Sequence, residues 1–533
     1  MSEVQAAPKQ RFDARLREIL AEALAAAASQ PLVGLLSAED RLALKLHSRL
    51  LDWMAPQRLI ELHEAAALAA RGDGAAFEAM VLLAGDCYRR AELAEGAPIV
   101  DALKAAVAHP AVMAAVEAAA APLVQAARTA PMARDGRRVA FVVSSLIAGA
   151  ATTYVMRALA GDLAAIGWQV EIYQTLLLDL VDEPTRLALS DLGVRFHRPP
   201  ADADQRARAA WMDEHLRAHA VDVVVHYVWP NDFVAKLLCN LRCVPLQVYV
   251  NHTCDQPTGD FDLKIGYSGD YRGHHQADRY ITLPNCSVRA AQARKVEVFD
   301  RSVWGLAPDV LCLATFSRLS KCVDATFLEA MAAILRANPR VVWLLVGERA
   351  PESEAQINAH LAKAGVLERV VYAGFMHGDD YFALLKAIDI YCDTIGWMGG
   401  QTVADAVACG VPVVCCAPGQ STVLAPHGNS STVIASQLLA PGSLVARPGD
   451  AQDYARLAQA YIDEPELRRH AGTINARSVD PDAWPAYVRE FDAALRAARD
   501  AKRLLQSAVG STPCGRSPIR DDAGTAVASE VTG

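Results

Sequence analysis

The sequence predicts an α/β protein with two facing, doubly wound, Rossmann-like domains preceded by an all-helical domain. Composition changes sharply near residue 135, from Ala- and Leu-rich helical periodicity to alternating strand and helix signals. After that point, apolar β-branched runs recur with helical segments between them, the pattern of a parallel sheet covered on both faces. The series pauses at residues 285–308 and restarts, which divides it into two units of similar size with a cleft between them. A chain of 533 residues has room for about three domains of ordinary size. The predicted boundaries are 1–135 for the helical domain, 136–305 for the first α/β unit, and 306–505 for the second with a terminal helix. Residues 506–533, rich in Ser, Thr, Gly, Pro and charge, are expected to be a disordered tail.

In the helical part, runs cover Arg11–Ala28, a stretch after Ser37, Gln57–Arg71, Ala75–Glu95 and Val100–Ala127. Ser37-Ala-Glu-Asp40 is a capping pattern, and Gly72-Asp73-Gly74 and Gly96 punctuate the runs. No fixed repeat period is visible. The first unit's strands are expected at Arg138–Ser145, Val170–Gln174, Val221–Tyr227 and Leu246–Val250. Those of the second are expected at Val310–Phe316, Val341–Val346, Val370–Ala373, Ile388–Asp393 and Val411–Cys415, with a helix over Ala483–Leu505.

A net charge of -9 offers no basic face for nucleic acid. No basic-then-apolar leader and no membrane-length apolar run are present, so a cytoplasmic protein without membrane insertion is expected. The twelve cysteines show no disulfide framework. Cys312, Cys392, Cys415 and Cys416 lie in strand-like runs, where cysteine acts as a small hydrophobe, and reduced thiols are expected. There is no CxxC pair, and Cys239 with Cys243 lack obvious partners, so no metal site is predicted.

Three strand ends carry chemistry. The main one is Asp393 to Pro412, where Gly396, Gly399 and Gly400 allow a tight turn before a helix running from near Gln401 to Gly410. Exposed N–H groups at such a helix start face a diphosphate, Thr402 adds a hydroxyl, and Asp405 is placed to accept from ribose hydroxyls. The same spacing equally describes a glycine-rich turn with no ligand. The second is Phe316-Ser-Arg-Leu-Ser-Lys321, where Lys321, rather than Arg318, is the candidate to neutralise a departing diphosphate. A solvated surface lysine is the alternative. The third, Tyr372-Ala-Gly-Phe-Met-His377, offers backbone amides and Met376 to a base.

In this order the three elements resemble the nucleotide-binding half of GT-B glycosyltransferases. They look most like the family of protein O-GlcNAc transferases and bacterial cytoplasmic N-glycosyltransferases that modify adhesins. The resemblance implies that Lys321 contacts the diphosphate, Asp405 the ribose and Thr402 a phosphate, with Met376, Gly399, Gly400 and Gln401 lining the donor site. Val250-Asn-His-Thr-Cys-Asp-Gln-Pro-Thr258, followed by Phe261-Asp262, resembles a cleft loop of the adhesin enzymes and points to His252 and Thr253. Leu146 to Thr153 departs from the histidine-rich loop of those enzymes, and Gly400 and Gln401 replace polar residues. The implied reaction is inverting, metal-independent transfer from a UDP-sugar, bound as donor substrate with no cofactor, to an Asn or Ser/Thr side chain of a protein. Lys321 and Thr402 then stabilise the leaving diphosphate, and His252 serves as base or as hydrogen-bond donor to phosphate. Two other readings stay open: a nucleotide-sugar hydrolase or epimerase of the same fold, and a catalytically degenerate interaction protein that uses its helical domain.

Overall fold

The computed structural model describes residues 55–93, 109–126, 136–146, 151–177, 183–229, 231–251, 260–266, 276–283, 286–297, 300–304, 309–395, 400–417, 443–480 and 482–510. The helices expected at Arg11–Ala28 and after Ser37, the residues His252, Thr253, Gly396 and Gly399, and the tail beyond residue 510 lie outside them.

The helical part contributes α1 (Ala55–Ala69), α2 (Gly74–Leu93) and α3 (Pro110–Ala126). Gly72, at φ +93°, supplies the left-handed residue between α1 and α2 that a side chain would resist. The first α/β unit follows as β1 (Arg138–Val143), α4 (Ala151–Ala165), β2 (Gln169–Gln174), α5 (Glu183–Asp191) and β3 (Arg195–His197). It continues with α6 (Gln205–Ala218), β4 (Val223–Tyr227), α7 (Phe233–Leu241), β5 (Leu246–Val250), β6 (Leu263–Gly266) and β7 (Tyr280–Thr282). All seven strands are parallel, in the order β3-β2-β1-β4-β5-β6-β7. Every residue of β4 and β5 is buried, as continuous apolar runs covered on both faces require.

The described helices α1 to α3 share one core with the first sheet. Leu62, Phe77, Met80, Val112 and Val116 pack with Met212 and Leu216 of α6, Phe233 and Leu237 of α7, and Val142 and Val224 of the sheet. Phe77 meets Phe233 edge to face, with centroids 6.5 Å apart. The described helices α1 to α3 thus lie as a layer on one face of the first sheet.

The second unit comprises α8 (Ala290–Lys295), β8 (Leu311–Phe316), α9 (Ala325–Ala337), β9 (Val341–Val346), α10 (Pro351–Lys363), β10 (Val370–Gly374) and α11 (Gly378–Ala387). Next come β11 (Ile390–Cys392), α12 (Gln401–Ala408), β12 (Val413–Cys416), β13 (Leu444–Ala446), α13 (Ala451–Asp463), α14 (Pro465–Ser478) and α15 (Ala483–Gly510). Its six parallel strands run β10-β9-β8-β11-β12-β13, so the order reverses between β8 and β11. That reversal is a topological switch point, where the carboxyl ends of two neighbouring strands diverge and open a crevice.

Chain order placed the terminal helix with the second unit, but its contacts are with the first. Tyr487, Val488, Phe491 and Leu495 of α15 share a core with Met156, Leu163 and Val170. Indole N–H groups fasten it from both sides: Trp484 donates to Asp162 and Trp168 to Asp492, each at 2.7 Å. The helix runs on to Gly510, past the expected end at Leu505, with Lys502 paired to Asp262. Arg294 of α8 donates to the Val479 carbonyl at 2.9 Å, so the two segments that cross between the units are themselves bridged.

The expected longer strands are present within a few residues of their predicted ends. β3, β6, β7 and β13 were not foreseen. Each has only three or four residues, too few for a periodic signal, and each exists because a longer neighbour offers it a ladder. The ten described cysteines are all free thiols.

Candidate functional site

Lys321 and the start of α12 come from the two strands that flank the second switch point. β8 ends at Phe316 and leads through Arg318 into a 3-10 turn, Leu319–Lys321. β11 ends at Cys392 and leads to Gly400, the N-cap of α12. Register pairs Ile390 with Leu313 and Tyr391 with Ala314, which brings both carboxyl ends to one edge.

Local chemistry holds these ends in place. The Thr315 hydroxyl donates to the Cys392 carbonyl at 2.8 Å and accepts from the Trp343 indole at 3.0 Å, tying β8, β9 and β11 together. The Tyr454 hydroxyl lies 2.8 Å from the Asp393 carbonyl. Gly347, just past β9, donates to the Gly374 carbonyl, and a Cβ at Gly347 would sit 1.9 Å from the Ser317 carbonyl oxygen. Only glycine permits that approach, so Gly347 sets the path of the loop that carries Lys321.

Gly400, the N-cap of α12, has no side chain to cap the first turn of the helix. Such a terminus carries partial positive charge and receives anions. Thr402 is half-buried on that turn, and the Tyr391 hydroxyl lies 3.0 Å from its Oγ1. With Tyr391 donating, Thr402 keeps its own hydrogen for another acceptor. Gln401 is turned aside, its Nε2 donating to the Cys286 carbonyl at 3.2 Å. The helix ends as expected: Gly410, at φ +72°, follows the C-cap Cys409.

Asp405 is fully buried, its carboxylate enclosed by side chains of the crossing segment and of α11. Ser287 Oγ reaches Oδ1 at 3.2 Å, the Tyr381 hydroxyl reaches Oδ2 at 3.1 Å, and Arg289 forms an ion pair with Oδ2. Burial pushes the carboxyl pKa up, and Arg289, Tyr381 and Ser287 oppose that shift. A ribose hydroxyl reaches this carboxylate only if one of those partners gives way. The Arg289 guanidinium also stacks on Tyr154 of α4, with its carbon 4.1 Å from the ring centroid, and on Tyr381 at 4.7 Å. First unit, crossing segment and second unit therefore meet on one guanidinium.

Met376 lies after β10, two strands from the switch point, and packs against the core that holds Val403 and Val407. Phe375 beside it is exposed. The structure thus brings Lys321, Gly400, Gln401 and Thr402 to one sheet edge, and leaves Met376 on the adjoining loop.

Sequence reading passed over Ser287, Arg289, Tyr391, Gly347 and Asp232. Asp232 sits at the first unit's own switch point, between β1 and β4, and caps α7 through Ala235 N at 3.0 Å. It also accepts from Ser144 Oγ at 2.6 Å and Thr175 Oγ1 at 2.5 Å. A glycine directly after a predicted strand was a signal for Gly347. Nothing local singled out Arg289, whose ion-pair partner lies 116 residues away.

Residues 307–463 match the family described as glycosyl transferases group 1. A 2-deoxystreptamine glucosyltransferase of Streptomyces kanamyceticus is 29% identical over 139 residues, 26% of this chain. A UDP-N-acetylglucosamine–peptide N-acetylglucosaminyltransferase of Giardia intestinalis is 28% identical over 117 residues, 21% of this chain. The matched segments span 32% and 8% of those proteins' own lengths. Among solved structures, an O-GlcNAc transferase mutant of Thermobaculum terrenum superposes with a TM-score of 0.54 at 18% identity, covering 93% of this chain and 99% of that one. Anabaena HepE in complex with UDP and glucose gives 0.52 at 16% identity, covering 68% of this chain and 100% of that one. Two parallel-sheet Rossmann-like units, the helical layer and these likenesses converge on one architecture: the chain has the GT-B fold, and its residues 307–463 match the glycosyl transferases group 1 family.

Proposed function

We propose that the chain is a glycosyltransferase that moves a hexose or N-acetylhexosamine from a UDP-sugar to a protein Asn or Ser/Thr side chain, with inversion and without an essential metal. The observation that carries this reading is that Lys321 and the N-terminus of α12, with Thr402 on its first turn, both follow strands that flank the switch point of the second sheet. UDP and glucose in the HepE complex, and the peptide acceptor named for the Giardia relative, support the donor and the acceptor class.

In the proposed reaction the acceptor's nucleophile attacks the sugar's anomeric carbon as the bond to the β-phosphate oxygen breaks. Negative charge then grows on the departing diphosphate. Lys321, the α12 N–H groups and the Thr402 hydroxyl stabilise it, an electrostatic effect fixed before the reaction begins. His252, next after Asn251 at the end of β5, takes the acceptor proton or donates a hydrogen bond to phosphate. Gly399, Gly400, Gln401 and Met376 border the nucleotide, and Asp405 shapes its pocket by holding Arg289. We assign the protein to the cytoplasm; among the described residues no helix is long and apolar enough to cross a membrane.

Calorimetry with UDP tests the site. Lys321→Ala should weaken binding about 10- to 100-fold, the range for one charge-assisted hydrogen bond. Unchanged affinity sinks the assignment. Mass spectrometry of candidate acceptors co-expressed with the protein tests the reaction, with a hexose or N-acetylhexosamine mass shift expected. Full turnover of the UDP-sugar without acceptor points instead to a hydrolase or epimerase.

A further inference from the structure

Three side chains far apart in sequence meet in the first unit. Glu171 is the third residue of β2, His197 the last of β3, and His219 the C-cap of α6. Arg138, the first residue of β1, reaches the His219 carbonyl, and His197 pairs with Tyr173 of β2, so the group lies along the β2–β3 side of the sheet. The Glu171 side chain is completely enclosed, while His197 and His219 are 17% and 28% exposed. His197 Nε2 lies 3.0 Å and His219 Nδ1 2.8 Å from the same oxygen, Glu171 Oε2. All three atoms fall within 4.8 Å of one another.

Hydrogen bonding explains only part of this convergence. Arg195 holds the other carboxylate oxygen, Oε1. The Tyr173 hydroxyl lies 3.1 Å from both Oε2 and His219 Nδ1. His197 Nε2 lies 3.0 Å from Oε2 and has no second polar partner among the described residues. A cation that accepts lone pairs from Nε2, Nδ1 and Oε2 satisfies all three atoms at once.

The dimensions fit such an ion. Metal–ligand bonds of about 2.0–2.1 Å in a tetrahedron set the donor atoms about 3.3 Å apart, so on binding the two contacts to Oε2 lengthen slightly while the two ring nitrogens, within 4.8 Å of each other, adjust toward the same spacing. The rings are already oriented: His197 stacks on Tyr173 at 4.5 Å and 23°, and His219 meets His197 edge-on at 4.8 Å. Arg195 on Oε1 and the Tyr173 hydroxyl are the outer hydrogen bonds that metal-bound carboxylates and imidazoles require.

We propose that Glu171, His197 and His219 bind one divalent ion of the zinc class, with water as the fourth ligand on the open His219 side. Two imidazoles and a carboxylate suit that ion better than calcium or magnesium, which take oxygen donors. The site is structural. It staples the edge strand β3 and the end of α6 to β2, on the outer side of the first sheet.

The test uses the full chain, stripped with a chelator and then titrated with Co²⁺ under visible absorption and with Zn²⁺ by calorimetry. One equivalent is expected to bind, with the intense absorption of tetrahedral cobalt and a rise in Tm on adding zinc. His197→Ala/His219→Ala should weaken binding at least tenfold and abolish the Tm shift. His470→Ala, which removes an exposed imidazole on α14, should behave as the starting protein. Absence of stoichiometric binding, an octahedral cobalt spectrum, or equal binding by the double variant overturns the proposal. Should the double variant fail to fold, the cobalt spectrum of the unmutated chain decides the matter alone.

Discussion

Arg289 and Asp405 form a buried ion pair that joins the segment leaving the first unit to the helix that carries the candidate phosphate site. Arg289 precedes α8 on the crossing strand of chain, and Asp405 lies one turn into α12. The pair, together with the Gln401–Cys286 hydrogen bond, couples the crossing segment to the first turns of α12.

Asp405→Ala leaves a buried guanidinium unpaired and should destabilise the fold by about 3–5 kcal/mol in urea unfolding. Arg289→Met/Asp405→Asn should cost less than the two single changes summed, because each single change strands a charge. UDP affinity in the Arg289→Met background separates two roles. A further loss on adding Asp405→Asn marks a direct ribose contact; no further loss marks a positioning role through Arg289.

Gly347→Ala should impair UDP binding although Gly347 lies outside the phosphate site. The added methyl group collides with the Ser317 carbonyl and displaces the loop bearing Lys321. Calorimetry should show a loss of at least tenfold, whereas Gly365→Ala, in open space although also strained at φ +71°, should lower Tm slightly and leave UDP affinity unchanged.

Tyr391→Phe should reduce UDP affinity modestly, by about 3- to 10-fold, the scale of one neutral hydrogen bond. Without its donor, Thr402 turns its own hydrogen toward the Phe316 carbonyl or water. Thr402→Val should produce the same loss, and the double variant little more, since both changes remove one donor from the anion site.

Stability should fall as the medium is acidified below about pH 6.5, partly through His226. Burial lowers its folded pKa to about 4 from 6.5, with Gln247 opposing. The unfolded chain therefore takes up the proton first, so this contribution is full above 6.5 and is lost as pH drops toward 4. Between pH 6.5 and 5 a histidine held neutral accounts for about 2 kcal/mol. Urea midpoints of His226→Gln should show a shallower decline over that interval than those of the parent chain.

Phe491→Ala should cost about 3–5 kcal/mol, the usual penalty for emptying a fully buried aromatic site. Because Phe491 packs on the first sheet, thermal unfolding should shift while saturating UDP still raises Tm in the variant.

The strand-to-helix passage from Asp393 to Gly410 was legible because its signals are local. A strand end, a run of glycines and the next helix lie within about twenty residues, and each obeys a backbone rule that reads directly from residue type. The fate of α15 was not legible in that way. Its apolar stripe says that it packs, but the slot it fills is formed by Met156, Leu163 and Val170, more than three hundred residues earlier. Asp405 shows the same limit: its spacing placed it one turn into the helix, but its ion-pair partner belongs to another part of the chain. Glu171, His197 and His219 are likewise brought together only by the pairing of β2 with β3 and the return of α6.

The return of α15 bears on how the protein is made. During synthesis the first sheet emerges early, but one wall of its core is supplied by residues 483–510, near the end of the chain. A nascent chain that has finished β7 still exposes the apolar surface of Met156, Leu163 and Val170 to solvent. It must remain so while the whole second unit is translated, a long interval in which exposed surface invites aggregation. The second unit, whose own cores contain no α15 residue, is free to fold first, although it is translated later.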